Sequence, residues 1–254
     1  MYQKTVLDNG IRVVTEKIPH LHSVSVGIWV DVGSRDEKEQ ESGLTHLIEH
    51  MLFKGTERRS ALDIAKELDA VGGMSNAFTA KENTCFHAKV LDSHLPLVVD
   101  ILGDIFLHSV FDTGELERER QVILQEITLV EDTPDEYVHV LFQQAFWEPN
   151  SLGRSILGDA GTVQTFTREM SLDYMHRSYH PERVILSAAG SVDHHELLNC
   201  VEPLFRNPSR APYPIKRTPP PINARLAMYP KDLEQVHLCL GTRGTSLIDQ
   251  SRYC

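Results

Sequence analysis

The chain has 254 residues, of which 41% are hydrophobic and 24% charged, and its formal net charge is −11. That composition excludes a disordered chain and leaves room for a sizeable core. The acidic balance argues against nucleic acid as a partner, because phosphate contacts need a basic surface.

The N-terminus enters directly into a strand-like pattern. Residues 2–7 and 11–17 flank Asp8-Asn9-Gly10, and Asn-Gly between two β-rich runs marks a hairpin. No signal peptide is expected, so the location is taken as cytoplasmic. Residues 23–32 set Val24, Val26, Ile28 and Val30 against Ser25, Gly27, Trp29 and Asp31, the period-two pattern of a half-buried strand. A polar loop, 33–42, leads to a helix over about 44–53 with Ser42 as its cap. Ser60 caps a second helix, 61–71, which stops at Gly72-Gly73.

Two strands are predicted at 74–79 and 84–91, then helices at about 95–109, 114–131 and 134–147, the last opened by Pro134. The apolar run 95–107 is broken by Asp100 and Asp104, so no membrane span and no membrane partner are expected. Residues 151–166 are rich in small residues and read as a loop. A short helix over 171–179 ends before Pro181, 183–190 reads as a buried strand, and 194–205 as a helix. Strands in groups rather than strict β-α alternation indicate an α+β domain over residues 1–206. Six prolines between 207 and 223 mark a stiff linker. Two strand-like runs follow, 224–228 and 235–241. Thirty-odd residues cannot bury a core of their own, so 224–254 either packs on the first domain or begins a second, truncated one.

The chemistry sits on the first helix. His46 and His50 are four residues apart, about 40° around a helix axis, and Glu49 shares their sector. Two imidazoles so placed can grip one metal ion, and an adjacent carboxylate can accept a proton from a metal-bound water. The order H-x-x-E-H reverses the H-E-x-x-H of other zinc peptidases. On the helix 114–131, Glu119 and Glu126 project into a stripe of Val122, Ile123 and Val130. A carboxylate there is costly unless it is paired or bound to metal. Ion pairs to Arg118 or Arg120 are the alternative for both.

Other constellations are weaker. His176 and His180 share the four-residue spacing but run into Pro181, and no carboxylate pair accompanies them. His194 and His195 are adjacent, point different ways on a helix and read as exposed histidines. Cys85 reads as a small buried residue rather than a nucleophile. The four cysteines (Cys85, Cys200, Cys239, Cys254) have no paired spacing and read as free thiols.

Gly43–Thr56, G-L-T-H-L-I-E-H-M-L-F-K-G-T, resembles the signature of pitrilysin/insulysin-type zinc metallopeptidases, the inverzincins. Within that family it resembles the mitochondrial processing peptidase β-subunit and its bacterial relatives. Three further stretches agree: N-A-F-T at 76–79, E-L-E-R-E-R-Q-V-I-L-Q-E at 115–126, and L-G-R-S-I-L-G at 152–158. The match runs in order through nearly all of residues 1–210.

The resemblance implies a two-layer α+β domain, an antiparallel sheet packed with helices, followed by the start of a second similar domain. It implies one zinc ion held by His46, His50 and Glu126, with Glu49 as general base on zinc-bound water and Glu119 supporting the site. Asn76 and Ala77 match a strand that binds substrate backbone. The implied activity is endoproteolysis of extended peptides or precursor polypeptides. The implied partners are an unfolded polypeptide substrate and a second half, supplied by another domain or by a second copy. The rival is a non-catalytic zinc-binding interaction subunit of a larger assembly.

Overall fold

The computed structural model describes residues 2–206, 214–221 and 225–253. Six strands form one sheet: β1 (Tyr2–Val6), β2 (Arg12–Lys17), β3 (Ser23–Val30), β4 (Met74–Thr79), β5 (Thr84–Leu91) and β6 (Val184–Gly190). Their order is β1-β2-β6-β3-β5-β4. Four of the five pairs are antiparallel, and β2 runs parallel to β6. The parallel pair arises because β6 arrives from the far end of the chain and inserts between β2 and β3.

The first turn forms as its residues dictate. Gly10 has φ +96°, which an L side chain resists, and Asn9 accepts the Ile11 N–H through Oδ1 (3.1 Å). The alternation in β3 is realised: Val24, Val26, Ile28 and Val30 are buried and Ser25 and Trp29 face out. β6 alternates too, with Ala189 exposed although the strand is central. A sheet covered by helices on one face only leaves the other face to solvent.

The helices are α1 (Leu44–Leu52), α2 (Ala61–Ala70), α3 (Leu95–His108), α4 (Thr113–Glu131), α5 (Pro134–Trp147), α6 (Ala160–Thr165), α7 (Arg168–Ser178) and α8 (His194–Leu204). α6 lies in the stretch read as a loop; Asp159 starts it by accepting the Gly161 and Thr162 N–H groups. α1 and α3 pack on β5, and α8 packs on β2 and α3. Leu47, Ile48, Met51 and Leu52 of α1 are at most 1% exposed. Each such side chain contributes about 1.5–3 kcal/mol of burial.

The α1–α2 connection is tied to α3 by Asp104, itself 1% exposed. Asp104 accepts from Thr56 Oγ1 (2.8 Å), Arg58 Nε (3.0 Å) and Arg59 Nη1 (2.8 Å). The C-terminal end of α1 is thereby fixed.

Of the proline-rich linker expected over 207–223, residues 207–213 and 222–223 lie outside the described residues. The described part, 214–221, is docked. Arg217 donates to Asp36 through Nε (2.9 Å) and Nη2 (2.7 Å), to Asp31 Oδ1 (2.7 Å) and to the Glu82 carbonyl (2.8 Å). The Asp36 side chain is 1% exposed. Removing its partner leaves a buried carboxylate uncompensated. Arg217→Ala should therefore cost about 2 kcal/mol and open the segment around residue 217 to limited proteolysis. Thermal melts and cleavage mapping check this; unchanged melting and protection would contradict it.

No strand forms at 225–228 or 235–241, contrary to the sequence expectation. The tail lies along α5 instead, with Lys231 Nζ donating to the Glu131 carbonyl (2.6 Å) and sitting 5.8 Å from the Tyr137 ring centre. Leu226, Met228, Val236, Leu238 and Leu240 stay at least 82% exposed. A β pattern needs a neighbouring strand, and none of the described strands is offered to these residues.

Candidate metal centre

α1 starts after Gly43, which has φ +96°, and not from a Ser42 cap. Its first amides are satisfied from outside the helix. The Glu37 carboxylate accepts the Gly43 N–H (2.9 Å) and the Thr45 N–H (2.8 Å). One turn on, His46 and His50 turn their Nε2 atoms toward each other at 3.2 Å.

α4 lies against α1. Its buried side is Leu116, Glu119, Ile123 and Ile127, while Val122 is 39% exposed. The apolar stripe is thus rotated from the one the sequence suggested. Glu119 remains on the buried face, and Glu126 at its margin. Glu126 Oε2 stands 3.9 Å from His46 Nε2 and 3.9 Å from His50 Nε2. One ligand atom from each of His46, His50 and Glu126 lies within 4.8 Å of the others.

The donor set fits a zinc ion. Tetrahedral zinc with Zn–N bonds near 2.05 Å separates two nitrogens by about 3.3 Å. The observed 3.2 Å matches that, and a small inward movement of Glu126 completes the triangle. Glu126 Oε2 is shielded from solvent and has no hydrogen-bond donor. An anionic oxygen in that state is costly unless a cation faces it.

His46 is in the form a metal requires. Burial, and the neighbouring His50, push His46 down to about 3, so its imidazole is neutral. His50 Nδ1 lies 2.9 Å from Glu119 Oε2. With Nδ1–H donating to that carboxylate, Nε2 presents its lone pair to the centre. The second Glu119 oxygen accepts from Lys54 Nζ (2.6 Å). The alternative partners go elsewhere: Arg118 pairs with Glu115, and Arg120 with Glu117.

Glu49 points toward the sheet edge. Thr79, the last residue of β4, donates its Oγ1–H to Glu49 Oε2 (2.6 Å). Burial raises the Glu49 carboxyl, helped by the nearby charge of Glu126 and opposed by the Thr79 hydrogen bond and His50. A raised carboxylate is a better proton acceptor. β4 is an edge strand, so its outer backbone groups face no other described strand. Asn76 is exposed on it, and its Oδ1 accepts the Ala77 N–H (2.9 Å).

The structure thus brings together His46, Glu49, His50, Glu119 and Glu126, with Asn76 and Ala77 on the adjoining strand. Sequence reasoning missed Glu37, Lys54 and Thr79. Thr79 carried a signal, since period two puts it on the same face as Ala77. Lys54 and Glu37 carried none, because their partners are 65 and 6–8 positions away in loops and helices whose packing is not local.

Cys85 resolves as the buried residue the sequence suggested, whereas His194, read from the sequence as exposed, is only 6% exposed. His194 is buried between Thr5 Oγ1 and Thr15 Oγ1, each 2.8 Å from a ring nitrogen. Cys85 is buried and its thiol is pushed up to about 12 by that burial, so it is no nucleophile. Among the described residues, His46, His50 and Glu126 form the single cluster with metal-ligand spacing. No described helix is long and apolar enough to cross a membrane.

The chain is similar to known proteins. The profile described as "Insulinase (Peptidase family M16)" matches residues 12–160, and "Peptidase M16 inactive domain" matches residues 165–253. An uncharacterized zinc protease of Bacillus subtilis is 40% identical over 244 residues, 96% of this chain and 59% of the relative. An uncharacterized zinc protease of Mycobacterium tuberculosis is 43% identical over 246 residues, 95% of this chain and 56% of the relative. The chain therefore spans a little over half the length of these relatives. The crystal structure of a protease from Helicobacter pylori shares the fold, with a TM-score of 0.80 at 22% identity, covering 85% of this chain and 53% of that one.

Proposed function

Because the chain belongs to the insulinase family of peptidases, family M16, we propose that it is the zinc-bearing half of an endopeptidase that hydrolyses extended or unfolded polypeptides. The observation that carries this reading is the convergence of His46 Nε2, His50 Nε2 and Glu126 Oε2, with the hydrogen-bonded Glu49 beside them.

His46, His50 and Glu126 would hold one zinc ion, which when bound polarises the scissile carbonyl and acidifies a water. Glu49 takes the proton of the attacking water and returns it to the leaving amine. Thr79 keeps the Glu49 carboxylate oriented between helix and sheet. Glu119 fixes the tautomer and rotation of His50. A substrate adds to β4 as a further strand, and its carbonyl takes over the Ala77 N–H now held by Asn76. Backbone pairing reads extended shape more than sequence, which suits precursor processing or peptide clearance. The exposed apolar residues of 225–241 support a second half that covers them, in the same polypeptide or in a second copy.

The test is metal removal. Chelation should abolish cleavage of an unfolded peptide library, and about one equivalent of zinc per chain should restore it, with the second half present. Undiminished cleavage by the metal-free protein would overturn the reading. Tight zinc binding without any turnover would favour the non-catalytic interaction subunit.

A further inference from the structure

We propose that Glu37 is a positioning residue of the metal centre: its carboxyl group holds the N-terminal end of α1, and so sets where His46 and His50 stand relative to Glu119 and Glu126. The proposal rests on the zinc reading above.

α1 has nine residues. A helix of that length is not stable alone, so its position is set by tertiary ties. It has no side-chain cap of its own. Glu37 supplies one from six positions before Gly43, with one oxygen for each of two amides: Oε2 for Gly43 (2.9 Å) and Oε1 for Thr45 (2.8 Å). His46 is the next residue. Glu37 is 4% exposed, so water does not compete for these bonds.

Glu37 is itself clamped. Arg154 donates to its carbonyl, and Lys81 donates to the carbonyl of Arg154. Thr45 Oγ1 is bonded to the Tyr174 hydroxyl at 2.9 Å. Gly43 sits close against the 151–158 loop: a Cβ there would lie 2.6 Å from the Leu157 carbonyl oxygen. At the other end, α1 is tied through Lys54 to Glu119 and through Thr56 to Asp104. Glu37 is thus the N-terminal fixture of the helix that carries both imidazoles, 3.2 Å apart at Nε2.

The carboxyl group is specifically required. As a carboxylate it accepts through both oxygens, one for each amide. Glutamine has the same shape but only one acceptor; alanine has none.

The experiment measures two things on the full chain: zinc affinity by chelator competition, and amide exchange across α1 in the metal-free protein. Glu37→Gln is expected to weaken zinc binding about tenfold and Glu37→Ala more, in the range of outer-shell changes, and both should speed exchange at residues 44–48. Ser60→Ala is the control. Ser60 caps α2, which carries no ligand, by accepting the Asp63 N–H. It should lower the melting temperature while leaving zinc affinity within twofold. If Glu37→Ala does not fold, the shape-preserving Glu37→Gln decides.

Unchanged zinc affinity in Glu37→Gln would overturn the proposal, with or without faster exchange, and so would equal weakening in Ser60→Ala. A wild type that binds no zinc would instead sink the metal-centre reading. The exchange data would then still decide whether Glu37 holds the helix.

Discussion

Glu49→Gln is expected to keep about one zinc per chain and to lose peptide turnover by a factor of about 10² to 10⁴, the range of a positioned general base. Glutamine preserves the volume of the side chain and can still accept the Thr79 hydroxyl, now 2.6 Å from Glu49 Oε2. The protein should therefore fold and keep the strand end in place. Glu49 also lies outside the three-atom convergence of His46, His50 and Glu126, so metal binding should survive. What glutamine lacks is a basic oxygen. The raised carboxyl of Glu49, set by burial, is the feature removed. Elemental analysis and initial rates on an unfolded peptide library measure both quantities. Turnover within tenfold of wild type would take Glu49 out of the base role.

The second large effect is on metal affinity. Glu126→Ala removes one of three protein ligands. Zinc sites of four ligands bind with about 10–16 kcal/mol, or roughly 2.5–4 kcal/mol per ligand. At 1.4 kcal/mol per decade, the loss is about 10²- to 10³-fold in affinity. Glu119→Gln should cost less, about 10- to 100-fold, because it leaves all three ligands and weakens the orientation of His50. The ranking is the informative result. If Glu119→Gln were worse than Glu126→Ala, the assignment of ligand and support would have to be exchanged. Competition with a chromophoric chelator measures both.

Much of the architecture was legible from local patterns. Both ends of β4 and β5, and both ends of α5, fall where period, polar turns and Pro134 put them. The failures share a cause. α6 has too few apolar residues to show a period, and is stabilised by its Asp159 cap and its contact with α4. The buried face of α4 is centred on Leu116, Ile123 and Ile127 because α1 lies there, which no window along α4 reports. The 225–241 segment has strand chemistry without a strand neighbour. Ser42 looked like a cap, but the amides it would serve are served by Glu37.

The sequence by itself determined the pieces of this protein: a hairpin at Asn9-Gly10, an alternating β3, and a helix presenting His46, Glu49 and His50 together, since four residues make just over one helical turn. With the family resemblance it also pointed to Glu126 and Glu119. Only the tertiary structure decided that β6 lies between β2 and β3, making one pair parallel. It alone decided that Glu126 stands 3.9 Å from two imidazoles 76 or more positions earlier, that Lys54 shares Glu119 with His50, and that Glu37 holds α1. The physical reason is range. Helix and strand periods are set by neighbouring residues, whereas the site forms where burial of α1 and α4 against the sheet brings distant polar atoms together and excludes the water that would otherwise satisfy them.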